Sequence, residues 1–135
     1  MRIDRLARIH SIVGWLSFLA FLASGVYLKL HKPELQAGSE AVRALYRANH
    51  LYLLGAGLLN LLAARVGAAP GRLRARLRGI GSLVLFAAPL VLGAAFMREP
   101  PHGFDGRTLT TLGAVLMLGG TLLLELTTPK ARDEA

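Results

Sequence analysis

Four stretches of the chain, residues 9–28, 48–64, 79–97 and 108–124, contain no charged side chain, and clusters of arginine, lysine and acid separate them. Each is close to the ~17–25 residues that a helix needs to cross ~30 Å of hydrocarbon. Inside lipid every backbone N–H and C=O must find a partner within the protein, so windows of this length read as helices. Membrane strands would be about half as long and would alternate polar with apolar residues. The pattern predicts helices over about 9–30, 43–65, 79–98 and 108–126, joined by short connections. The expected fold class is an all-α membrane protein, a four-transmembrane-helix up-down bundle forming one domain over residues 1–135.

The punctuation between the windows fits this division. Pro33 and Gly38 interrupt the chain after the first helix, Ser39 can cap the second, and that second helix can begin as early as Glu40. Pro70 and Gly71 mark the next turn, and the adjoining "GRLRARLRG" reads as a short interfacial helix with leucines down and arginines up. Pro89 falls in the middle of the third window, where it removes one intrahelical bond and is expected to kink the helix. Pro100 and Pro101 stop that helix, and Thr108 or Asp105 is placed to cap the fourth. Small residues offer close approach at Ala20, Ser24 and Gly25, at Gly55 and Gly57, and at Gly113, Gly119 and Gly120. The basic start "MRIDRLAR" is shared with secretory signals, but "AFLASG" lacks a small-x-small cleavage pattern, so the first window is kept as a helix.

Composition supports the bilayer: 53% of the 135 residues are apolar, too many for an ordinary soluble domain of this size. Charge then sets the orientation. Arg2, Arg5, Arg8, Arg65, Arg72, Arg74, Arg76, Arg78, Lys130 and Arg132 fall on one side, against Lys29, Lys32, Arg43, Arg47, Arg98 and Arg107 on the other. The excess belongs in the cytoplasm, with the basic loop 65–78, the tail 127–135 and both termini. The net charge of +8 is thereby accounted for by anionic headgroups, at about 1 kcal/mol of attraction per residue, and no nucleic-acid partner is expected. The chain has no cysteine, which removes disulfides, thiolate metal sites and cysteine nucleophiles. No Ser-His-Asp, P-loop or dinucleotide-binding pattern appears, so no catalytic residue is assigned and an enzyme is not favoured.

The second helix opens with "RALYRANHLYLL". At 100° per residue, Arg43, Arg47, His50 and Gly57 fall along one face. By topology that face shares the extracytoplasmic side with His31, Arg98, Glu99, His102, Asp105 and Arg107, leaving His10 alone at the other end. One reading has Arg47 snorkelling to the interface and His50 donating to a neighbouring carbonyl. The other has Arg47 and His50 facing the bundle, paired with Glu99 and Asp105, in a pocket suited to a carboxylate, a phosphate or a quinone oxygen. The candidate polar or ligand-binding residues are Arg47, His50, Tyr52, Glu99 and Arg107, with His31, His102, Asp105 and Asn60 in second rank. Asn60 reads as an interhelical hydrogen bond. Glu125 can pair with His10 or Arg8 if the first and fourth helices are neighbours. No local spacing supports a metal site.

With "RANHLYLL" in view, the chain resembles a family of small bacterial inner-membrane proteins of unknown function. That family carries an R-x-x-H-I/L-Y motif at the start of its second helix, an E-P after the third and an arginine before the fourth. The corresponding residues here are Arg47, His50 and Tyr52, then Glu99 and Pro100, then Arg107, with Asn60 also fitting. The resemblance implies that the extracytoplasmic polar cluster is the shared feature, and it implies no activity. In "RIHSIVGW", with His10, the chain is also similar to the bacterial membrane protoporphyrinogen oxidases, four-helix proteins with a histidine at the start of the first helix. Those enzymes use a lysine in the third helix, and "GIGSLVLFAAPLVLGAAFM" has none.

The expectation is a multi-pass protein of the bacterial inner membrane, a non-enzymatic binding or accessory protein whose partners are the lipid bilayer and either further copies of itself or a larger membrane complex. A haem- or quinone-linked redox protein, with haem b as its cofactor, and a small transporter or channel subunit are the alternatives.

Overall fold

A computed structural model describes residues 2–31, 38–67 and 71–128, leaving aside the side chains of 2–4 and 103–105. The described residues form four long helices, α1 (Arg2–Leu30), α2 (Glu40–Ala63), α3 (Arg72–Arg98) and α4 (Thr108–Thr127), with one 3₁₀ segment, Pro100–Gly106, between α3 and α4. There is no strand among them. Asp105 as a site residue, the turn residue Pro33 and the charges of the tail lie outside what is described.

Two helices are longer than the apolar windows. Nothing in "RIDRLAR" breaks a helix, so α1 begins at Arg2. The arginine-rich stretch likewise forms the first turns of α3, continuous with it from Arg72, and is not a separate interfacial element. Ser39 caps α2, its hydroxyl accepting the Val42 N–H at 3.3 Å. Three helices, α1 from Arg5, α3 and α4, are each long and apolar enough to cross a membrane. α2, which carries Arg47, Asn49, His50 and Asn60, is not among the three.

The reason for that exception lies in the packing. α1 packs extensively on α2 and α4 on α3, while α2 and α3 meet along the middle and α1 does not touch α4. In cross-section the helices make a rhombus, with α2 and α3 on its short diagonal and α1 and α4 at the far corners. The two asparagines of α2 therefore have helices around them and are fully buried, while Arg47, near its start, is exposed. The proposed meeting of Glu125 with His10 or Arg8 does not occur, because α1 and α4 are at opposite corners and Glu125 is exposed.

Glycine sets the closest crossings. A Cβ on Gly57 would lie 3.1 Å from the Gly14 carbonyl of α1, and one on Gly120 would lie 2.8 Å from the Leu85 backbone nitrogen of α3. Backbones approach this closely only where a side chain is missing. Gly119 faces open space.

Candidate functional site

Two buried polar centres hold the bundle, one towards each end. At the end where α1 and α3 begin, called the basic end from here on, His10 is only 1% exposed. Its Nδ1 lies 2.9 Å from Asn60 Oδ1 on α2 and its Nε2 lies 3.0 Å from Ser82 Oγ on α3. The ring also packs on Phe86, centroids 4.3 Å apart.

The proton directions follow from counting donors. Asn60 Nδ2 donates to Ala56 O at 2.9 Å and to Leu85 O at 3.3 Å, which uses both amide hydrogens. Oδ1 is thus the acceptor and His10 Nδ1–H the donor; a neutral ring then accepts the Ser82 hydroxyl at Nε2. Leu85 is four residues before Pro89, so its carbonyl is the one that the proline, lacking an N–H, leaves unpaired. Asn60 supplies the missing donor from the neighbouring helix. Three helices are tied through one imidazole and one amide, each polar atom satisfied. Nearby, Arg78 is buried and donates through Nη2 to Val66 O, holding the chain that leaves α2.

The second centre is built around Glu99, which is 4% exposed. Its carboxyl oxygens accept the backbone N–H groups of Leu109 and Thr110, the latter at 3.0 and 3.2 Å, and the Thr110 hydroxyl. These N–H groups belong to the first turn of α4, which no residue of its own caps. The cap comes from Glu99, across the 3₁₀ segment, and a carboxyl group is well placed against the positive end of the helix dipole. Thr108 is not the hydrogen-bonding cap, and Arg107 occupies the N-cap position without a side-chain cap bond.

Asn49 completes this centre. Its Oδ1 stands 2.8 Å from Thr110 Oγ1, while its Nδ2 is buried with no partner among the described residues. One hydroxyl proton cannot serve both Asn49 and Glu99. An amide turned by 180° has the same shape; in that orientation Nδ2 donates to Thr110 Oγ1 and the hydroxyl proton goes to Glu99.

The residues singled out from the sequence are thus distributed, not gathered. Glu99 is a centre in its own right, and among the described residues it is held by hydrogen bonds and no ion pair. His50 turns to α1: its Nδ1 is 2.8 Å from Ser24 Oγ, its ring stacks on Phe21 at 4.2 Å, and the bare Cα of Gly25 makes room for it. Arg47 is exposed beside Glu40 and Arg43. Tyr52 packs against the core of Leu53, Ala56 and Leu92. Arg107 is half-buried, its Nε without a partner among the described residues. His31 stacks on Tyr27 and bonds its carbonyl, and His102 bonds the Arg98 carbonyl at 2.8 Å, each within its own turn. Asn60 is the interhelical bond that its position suggests. His10, read from the sequence as isolated, is the residue with most at stake.

Chemically, these centres are equipped to bind helices to one another. For the buried His10 imidazole to ligate a haem iron it would have to give up an interhelical bond, to Asn60 or to Ser82; the half-buried His50 is bonded through Nδ1 alone, to Ser24. Among the described residues no three His, Asp or Glu side chains gather to hold a metal ion. No family profile, characterised protein or solved structure matches this chain.

Proposed function

We propose that the chain is a four-span protein of the bacterial inner membrane, with both termini in the cytoplasm, acting as a non-enzymatic binding or accessory component. The resemblance to the R-x-x-H-I/L-Y proteins belongs to this reading. At ~1.5 Å per residue, the 24 residues of α2 are long enough for the fourth span; Asn49, His50 and Asn60 are directed at α4, α1 and α3, and the exposed Glu40 and Arg47 are confined to its first two turns. The observation that carries the reading is the His10, Asn60 and Ser82 junction, where the polar groups are used up between helices and none is presented to a substrate. Such a bundle is a rigid platform, suited to holding a partner in the membrane plane.

Two experiments test it. Reporter fusions after residues 67 and 102 should give cytoplasmic and extracytoplasmic signals respectively; the reverse assignment, or the same side for both, defeats the topology. In detergent, His10→Ala and Glu99→Ala should lower the melting temperature well beyond Arg47→Ala. Equal melting of all three would remove the locking role. A Soret band in protein purified from haem-replete cells would instead favour the redox reading.

A further inference from the structure

Between α1 and α3 the bundle carries an apolar groove. Two hollows of about 300 and 270 Å³ lie end to end and share Ala20, Leu53 and Gly93. The first starts at Ile9 and Phe86, near the basic end; the second finishes at Tyr27 and Met97. Leu53 of α2 is the floor. Gly93 is the gap in one wall, since a Cβ there would meet nothing within 4 Å.

Size decides what fits. From Ile9 to Tyr27 the groove follows α1 for about 27 Å at the helical rise. Spread over that length, the whole empty space of the hollows, about 700 and 560 Å³, has a cross-section on the order of 50 Å², whereas a helix ~10 Å across would need roughly 80 Å². That is room for extended hydrocarbon and not for a helix. Charge decides which chain. α1 and α3 run parallel, as the His10–Ser82 bond near their starts and the Tyr27–Phe96 contact near their ends require. Before the hollows begin, both helices carry exposed arginines, Arg5 and Arg8 within about 6 Å of Ile9 along α1, and Arg72, Arg74 and Arg76 about 15–21 Å before Phe86 along α3. Among the described residues the other end has one exposed cation on each helix, Lys29 and Arg98. Guanidinium groups suit phosphate, which they bind through paired N–H donors.

We propose that the groove holds one acyl chain of an anionic phospholipid, with its headgroup against the arginines of α1 and α3. The proposal rests on the membrane reading above. Within a bilayer the gain comes from van der Waals contact with walls that would otherwise lack neighbours, and selectivity comes from the arginines.

The test uses the full chain in detergent and native mass spectrometry, with phosphatidylglycerol and phosphatidylcholine of identical chains offered together. The wild type should retain one phosphatidylglycerol in several-fold preference. Gly93→Leu puts a side chain into the groove from a position where a Cβ meets nothing within 4 Å and should abolish the adduct with melting unchanged; Ala23→Leu should do the same from the second hollow. Arg8→Gln, Arg74→Gln and Arg76→Gln together should keep the adduct and lose the preference. The proposal is overturned by equal retention of both lipids in the wild type, by an adduct that survives both filling variants, or by a wild-type dimer that Gly93→Leu splits, which would mean a second copy covers the groove. Recovery of the chain without membrane extraction would instead overturn the membrane reading.

Discussion

Asn60 shows how one side chain repairs a defect that another creates. Pro89 frees the Leu85 carbonyl and Asn60 Nδ2 takes it, while its Oδ1 holds His10. Asn60→Ala should lower stability by about 1–3 kcal/mol, because buried groups then lose their partners. The loss should be smaller when position 89 is alanine, which restores an N–H to the helix, with a coupling of at least ~0.5 kcal/mol in a double-mutant cycle. Unfolding in graded denaturing detergent would measure it; strict additivity would mean that Asn60 does not serve the proline's carbonyl. At the other end, Glu99→Ala should remove about 1 kcal/mol, the usual loss for a missing helix cap, and Glu99→Gln less, since one oxygen still accepts. Hydrogen exchange at Leu109 and Thr110 should speed up in the same order. From the sequence Asn60 could be read as an interhelical bond, because a lone amide in hydrocarbon needs a partner. His10 could not be placed, since its partners are 50 and 72 residues away and no spacing announces them.

Among the elements, the ends of α1, α3 and α4 reflect different kinds of information. α1 and α3 extend back through their arginines because arginine and leucine propagate a helix readily. Charge marks where the lipid should begin, and it does not mark where the helix begins. α4 illustrates the limit of local capping rules, since its cap is ten residues upstream on another element. The glycines divide in the same way. Gly119 and Gly120 are indistinguishable in composition, yet only Gly120 meets the backbone of α3. Gly120→Ala should therefore force α3 and α4 apart and lower the melting temperature, while Gly119→Ala should leave it unchanged or slightly raised, given alanine's higher helix propensity. Indistinguishable melting of the two variants would contradict the close crossing.

For the whole molecule, the rhombic arrangement explains how α2, the long helix that is not among the three candidate spans, buries two asparagines. Placed on the short diagonal, it is shielded by its neighbours, so its asparagines and His50 find hydrogen-bond partners on other helices. The same arrangement separates Glu125 from His10 and opens the groove along α1 and α3. Replacing α2's polar set in pairs should destabilise the bundle without moving the reporter signals that define topology, since orientation follows the loop arginines.

The sequence by itself determined the number, approximate length and order of the helices, because hydrocarbon length and backbone hydrogen bonding leave few other options for four charge-free windows. It also singled out Glu99, His50 and Asn60 as polar groups in need of partners. Which partners they take was decided only in three dimensions. A helical repeat fixes which residues share a face, but the neighbour that face meets depends on how four helices cross, and those crossings are set by glycines and buried side chains far apart in the chain.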